Sequence, residues 1–152
     1  MLISILCLLL FAGTPQVDAF KKEMIPLQTA VETAVSPVVA RIYSLKVSYL
    51  DDYGIVVSMD VALELPPNPF STPRTSEQVK ATVTQRRKDL QNRLSDVLKT
   101  QIVKSASIED SESLAVIVHL LPTTRADAGD QPTQLVLSVK KASPTQVKVS
   151  GF

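Results

Sequence analysis

No tryptophan, one cysteine, one histidine and four glycines occur in this chain of 152 residues. Each scarcity excludes a class of chemistry. One Cys and one His fall short of the four ligands that a structural zinc site takes. Four scattered glycines leave no GxGxxG or GxxxxGK loop to cradle a phosphate. Without tryptophan the chain has no indole platform for a sugar ring, and only 5% of its residues are aromatic. An excess of one charge is missing too. Sixteen Lys and Arg face fifteen Asp and Glu, for a net charge of +1, which marks neither a nucleic-acid binder nor an acidic tail. Apolar residues, by contrast, make up 45% of the chain. That is sufficient for a packed core in a chain of one-domain length.

The longest hydrophobic run is N-terminal, residues 2–12 (LISILCLLLFA). As a helix it would measure about 16 Å, half of a bilayer core of roughly 30 Å. That is the length of a signal-peptide core and not of a spanning helix. Gly13-Thr14-Pro15 breaks the run, and Val17-Asp18-Ala19 sets small residues at −3 and −1 of a cleavage site. The expected division is a signal peptide over 1–19 and a mature chain from Phe20, periplasmic or extracellular, with no transmembrane span. No Lys or Arg precedes the run, so the α-amino group alone supplies positive charge there. Cys7 follows Leu6 rather than the small residue of a lipoprotein signal. Cleavage removes the only cysteine, and with it any disulfide.

Residues 20–37 form an N-terminal segment with a short helix over 24–35, where Leu27, Val31 and Val35 recur at spacing four before Pro37. Residues 38–152 read as a single α+β domain. In 38–50 Val39, Tyr43, Leu45, Val47 and Tyr49 share one parity, interrupted by Arg41. After the turn residues Asp51-Asp52-Tyr53-Gly54, strand 55–65 points Ile55, Val57, Met59, Val61, Leu63 and Leu65 inward. The proline-rich stretch 66–73 is an extended, rigid connection. Thr75 and Gln78 fit a capping box that opens a helix running to Lys104. Its stripe is Val79, Val83, Leu90, Leu94, Val97 and Leu98, with Arg86 and Arg87 at the edges. Residues 114–121 are apolar at both parities except His119, as in a central strand covered on both faces. Strand 134–141 follows, and Val147 and Val149 mark a short terminal one. The expected fold is a two-layer α+β domain of order α-β-β-α-β-β. It has a four-stranded, mainly antiparallel sheet of two β-hairpins, with the long helix on one face.

No reaction centre is legible. His119 lies on an apolar parity with Ala115, Ile117 and Leu121 and has no nucleophile nearby, the setting of a structural imidazole. The carboxylate groups Asp51-Asp52, Glu109-Asp110-Glu112 and Asp127/Asp130 all fall in loops and lack calcium-loop spacing. Neither a catalytic residue nor a metal or cofactor is expected. From Arg74 to Lys104 eight bases face three acids, making Arg86, Arg87, Lys88 and Arg93 candidate anion-binding residues. Nucleic acid is not an expected partner, because no aromatics interleave with these bases. The sheet's second face gathers Ile117, His119, Leu121 and Val136 beside Val56 and Ala62, with Ser58, Asp60 and Glu64 as a polar rim. An apolar patch so framed fits a protein partner, an envelope component or a second copy in a homodimer, unless the N-terminal helix covers it.

The segment Tyr49-Leu50-Asp51-Asp52-Tyr53-Gly54-Ile55-Val56-Val57, a YLxxYG motif, is followed by the proline-rich break and the long helix. This order, over about residues 38–140, is similar to that of small bacterial proteins that carry signal peptides. The resemblance implies an envelope or extracellular setting and carries no activity and no site. The expected function is therefore a non-enzymatic exported domain that binds a protein or envelope partner. The alternatives are an enzyme whose site assembles only in three dimensions, and an accessory protein that uses its basic helix on anionic surfaces.

Overall fold

The computed structural model describes residues 15–122 and 133–151. The run 2–12 with Cys7, the residues Gly13 and Thr14, and the pair Asp127/Asp130 lie outside the described residues. The chain is α+β, with two helices and a five-stranded mixed sheet. Helix α1 is Pro15–Val35, strands β1 and β2 are Arg41–Leu50 and Gly54–Ala62, and helix α2 is Ser76–Lys104. Strands β3, β4 and β5 are Ser113–Leu120, Gln134–Lys140 and Val147–Gly151.

Helix α1 is longer than the 24–35 expected and includes Pro15, the first described residue. Pro26 lies inside the helix and removes one internal hydrogen bond. Leu27, Val31 and Val35 enter the core as the spacing predicts.

Strand order is β1-β2-β3-β4-β5. The expected pairs β1–β2 and β3–β4 are antiparallel, as is β4–β5, but β2 and β3 are parallel, so the expected four-stranded, mainly antiparallel sheet is corrected to a mixed sheet of five strands. The reason is the length of α2. Its 29 residues span about 43 Å and carry the chain back along the sheet, so β3 starts at the same end as β2. The fifth strand, Val147–Gly151, extends the meander by pairing with β4. Strand β2 ends at Ala62, not at residue 65, and Leu65 is 42% exposed.

A register shift between Ile42 and Ser44 corrects the facing of β1. The extra residue, Tyr43, sends Ile42 to the core side and leaves Tyr43 exposed, with the Arg41 guanidinium 5.7 Å from its ring centroid. Bulges reverse side-chain parity in this way, which is why Arg41 seemed to interrupt an apolar face.

Both helices pack on the same face of the sheet. Ile55, Val57, Met59 and Val61 of β2, Leu114, Val116 and Val118 of β3, and Leu135, Leu137 and Val139 of β4 meet Leu90, Leu94, Leu98 and Ile102 of α2 and the α1 stripe. Each fully buried Leu or Ile contributes about 1.5–3 kcal/mol. Thr75 caps α2 with both capping-box bonds present. The half of α2 before Leu90 has no buried residue, so it overhangs the core.

At the β1–β2 turn Asp52 has φ 63 and Gly54 has φ 110, and a Cβ on Gly54 would lie 2.2 Å from the Ser113 carbonyl oxygen. Gly54→Ala is therefore expected to destabilise by roughly 3 kcal/mol, through backbone strain and displacement of the β2–β3 ladder. The measurement is urea unfolding, and an unchanged midpoint would contradict it.

Candidate functional site

Among the described residues both helices lie on one side of the sheet, and neither covers the other face. The alternative in which α1 covers that face is corrected. Alternation along each strand and the pairing register together decide what this face presents. One row runs across four strands: Ser44 of β1, Asp60 of β2, His119 of β3 and Gln134 of β4. The next holds Lys46, Ser58, Ile117, Val136 and Ser150, and the one after it Ser48, Val56, Ala115, Ser138 and Lys148.

The first row is a hydrogen-bonded chain. The Ser44 hydroxyl donates to Asp60 Oδ2 at 2.5 Å, and His119 Nδ1 lies 3.1 Å from Asp60 Oδ1. Gln134 Nε2 is 3.3 Å from His119 Nε2. The Ser44 hydroxyl holds the Asp60 carboxyl below its ordinary range, with His119 and Lys46 adding to the effect against some desolvation. Ser, Asp and His are present, but the hydroxyl meets the carboxylate and not the imidazole. The imidazole is not placed to take the hydroxyl proton, so the row lacks the Ser–His–Asp order of a nucleophilic triad. Among the described residues no group of three or more His, Cys, Asp or Glu is placed to hold a metal ion.

Ile117 and Val136 are paired neighbours at the centre of this face, both half-buried, with Val56 one row away. Their polar surround is the Ser44–Gln134 row on one side and Ser48, Ser138 and Lys148 on the other. Three expected members of the patch lie elsewhere. Leu121 falls beyond the end of β3, 39% exposed, its N–H bonded to the Val61 carbonyl at 2.8 Å. Ala62 is buried, and Glu64 follows β2 and pairs with Arg74. Central strand β3 is thus covered on one face only.

The candidate anion-binding residues do not converge. Arg86 Nη1 donates to the Leu63 carbonyl, and Arg87 is half-buried, its guanidinium pushed down by desolvation. Lys88 and Arg93 are exposed.

Two carboxylates have structural roles that the sequence did not show: Glu112, read as a loop residue, is buried, and Glu23 is half-buried. Glu112 accepts from the Tyr49 hydroxyl at 2.6 Å and from the Glu109 N–H at 2.8 Å. That hydrogen bond to Glu112 is the main reason the Tyr49 phenol is pushed up to about 12. Glu23 of α1 reaches the loop after α2. It accepts from the hydroxyls of Ser105 and Ser107 at 2.6 and 2.7 Å, and from the N–H groups of Ala106 and Ser107 at 2.6 and 3.2 Å. The readable signal was position: Glu23 continues the 27/31/35 stripe at the same spacing of four. A half-open cavity of about 230 Å³ beside it is lined by Lys22, Glu23, Leu27, Gln101, Lys104 and Ile108, among others. Both Glu23 oxygens are spent on the loop, so the cavity gathers no acid–base pair. Comparisons with protein-family models, with curated proteins and with solved structures find no match to the chain.

Desolvation pushes the Glu23 carboxyl up, but its four hydrogen bonds outweigh that and hold it below the ordinary value of 4.5. A depressed carboxyl stabilises the fold above the ordinary carboxylate range and loses that contribution as pH falls through it. Glu23→Ala removes four hydrogen bonds from the loop around fully buried Ser107, a loss of about 1–3 kcal/mol at pH 7. The loss is expected to shrink on acidification, so the gap between the urea midpoints of parent and variant should narrow as pH falls below the ordinary carboxylate range.

Proposed function

We propose that this chain is an exported, non-enzymatic domain that binds a protein partner of the cell envelope through the open face of its sheet. The observation that carries the reading is the placement of both helices on one face. It leaves Val56, Ile117 and Val136 half-exposed to solvent inside a polar frame. An apolar centre with a polar surround is the anatomy of a binding patch. The Ser44–Asp60–His119–Gln134 row supplies directional groups along one edge of it and no nucleophile.

Export is supported by the length of the 2–12 run and by the first helix. Among the described side chains of α1, Phe20 is the first to pack against the core, with its ring 5.8 Å from that of Tyr49. A chain beginning at Phe20 keeps every core contact of α1. Among the described residues no helix is long and apolar enough to cross a membrane.

Intact mass of the protein recovered from the exported fraction is expected to correspond to residues 20–152, and full-length chain confined to the membrane fraction would overturn export. For the face, Ile117→Lys with Val136→Lys is expected to reduce retention of the envelope partner at least tenfold, since each charge desolvated at an interface centre costs several kcal/mol. The measurement is affinity capture from envelope extract, with circular dichroism to verify the fold. A retained set identical for parent and variant would sink the reading. A dimer by light scattering that the same pair dissociates would make a second copy the partner.

A further inference from the structure

We infer that the tip of the 66–75 connection and the overhanging start of α2 together form a second surface, one that seats on an anionic lipid bilayer. The tip is a braced turn. Ser71 donates its N–H at 3.0 Å and its hydroxyl at 2.7 Å to the Asn68 carbonyl, and Asn68 Oδ1 accepts from the Phe70 N–H at 3.0 Å. Pro69 fixes its own φ within that turn. The result is an aromatic ring held out in water, with Phe70 96% exposed. The connection is also pinned to the helix. Arg74 bridges Glu64 to the Thr82 hydroxyl, and Arg86 binds the Leu63 carbonyl. Tip and helix therefore present themselves as one unit.

Bases outnumber acids in the segment around the ring. Between residues 64 and 88 five bases face two acids, Glu64 and Glu77, and Glu64 is consumed by Arg74. Lys80 and Lys88 are exposed, about 80° apart around the helix. No acidic residue occurs from Leu65 to Ser76. One projecting ring among Pro, Asn, Ser and Thr offers a protein groove little area. A ring entering the headgroup boundary, with ammonium groups behind it over anionic lipid, needs no more than this. The surface lies at the end of the sheet where β2 finishes and leaves the open face free, so it goes beyond the partner site and does not depend on it.

The chain has no tryptophan, so Phe70→Trp in the full chain places a single indole at the tip. Its emission reports that point alone, whatever residues 2–12 do on the same vesicles. The probes are phosphatidylcholine vesicles with and without phosphatidylglycerol, carrying brominated acyl chains as quencher. The expected result is a blue shift and quenching on the phosphatidylglycerol vesicles, reversed near 1 M salt, where the Debye length falls to about 3 Å. Adding Lys80→Glu and Lys88→Glu, both on the exposed helix surface, should raise the lipid needed for half-maximal quenching at least about 25-fold, a factor of about five per base. An indole that stays water-like on phosphatidylglycerol overturns the inference, as does equal quenching on phosphatidylcholine alone. A blue shift that grows with protein concentration in the absence of lipid assigns the tip to a second copy and overturns it too.

Discussion

A sheet has two faces, and the helices among the described residues cover one. That constraint decides most of what the structure presents. The inward residues of β2, β3 and β4 form a continuous apolar surface, and only the α2 stripe together with the α1 stripe is wide enough to bury it. Both helices are drawn to the same side because the apolar area is there. The opposite face carries Ser44, Lys46, Ser58, Asp60, Ser138 and Lys148 and can tolerate water. It differs from an ordinary wet face at Val56, Ala115, Ile117 and Val136, and of these Val56, Ile117 and Val136 are only half-buried among the described residues.

The same constraint explains the parallel pair. A helix long enough to cover the sheet lengthwise returns the chain to the end it left, and the next strand must then run alongside the last in the same direction. β3 becomes the central strand. Its apolar residues at both parities face the core on the covered side and include Ala115 and Ile117 on the other. Burial also forces polar groups to be satisfied internally. The loop that ends α2 would leave the Ser105 and Ser107 hydroxyls and two N–H groups without water. Glu23 answers all four, and so ties the N-terminal helix to the far end of the second one. Buried Glu112 likewise satisfies the Glu109 N–H and the Tyr49 hydroxyl.

The local grammar of the fold was legible, and its long-range pairing was not. Thr75 and Gln78 located the start of α2 to the residue because a capping box is a contact between near neighbours in sequence. The alternation from Ile55 to Val61 identified its strand and inward face, since period two needs no partner to be read. By contrast Tyr43 was misplaced, because one inserted residue reverses parity and leaves no mark in composition. The parallel pairing of β2 with β3 depends on where α2 ends in space, which no local window contains. Of the open-face site, Ile117, His119 and Val136 were identified from parity. Ser44 and Gln134 were missed because only the register brings them beside Asp60 and His119. Leu121 was misassigned by extending that parity past the point where the ladder stops.

The overhang of α2 has a separate origin in length. A nine-residue strand such as β2 spans about 30 Å, and a helix of about 43 Å that packs along it must project at one end. The projecting half carries four bases and two acids, and of its stripe residues Val79 and Val83, both half-buried, only Val83 packs against the core. Packing therefore does not account for the helix starting as early as Thr75. What holds that half in place is Arg74, spanning Glu64 and Thr82, with Arg86 on Leu63. These guanidiniums serve the fold, so the bases left to act outward are those spaced along the exposed side, beginning at Lys80. A device built only for stability would have no need to hold Phe70 in water at the point of a proline-braced turn. The ring and the bases therefore belong to one outward-facing surface, distinct in position and in chemistry from the open face of the sheet.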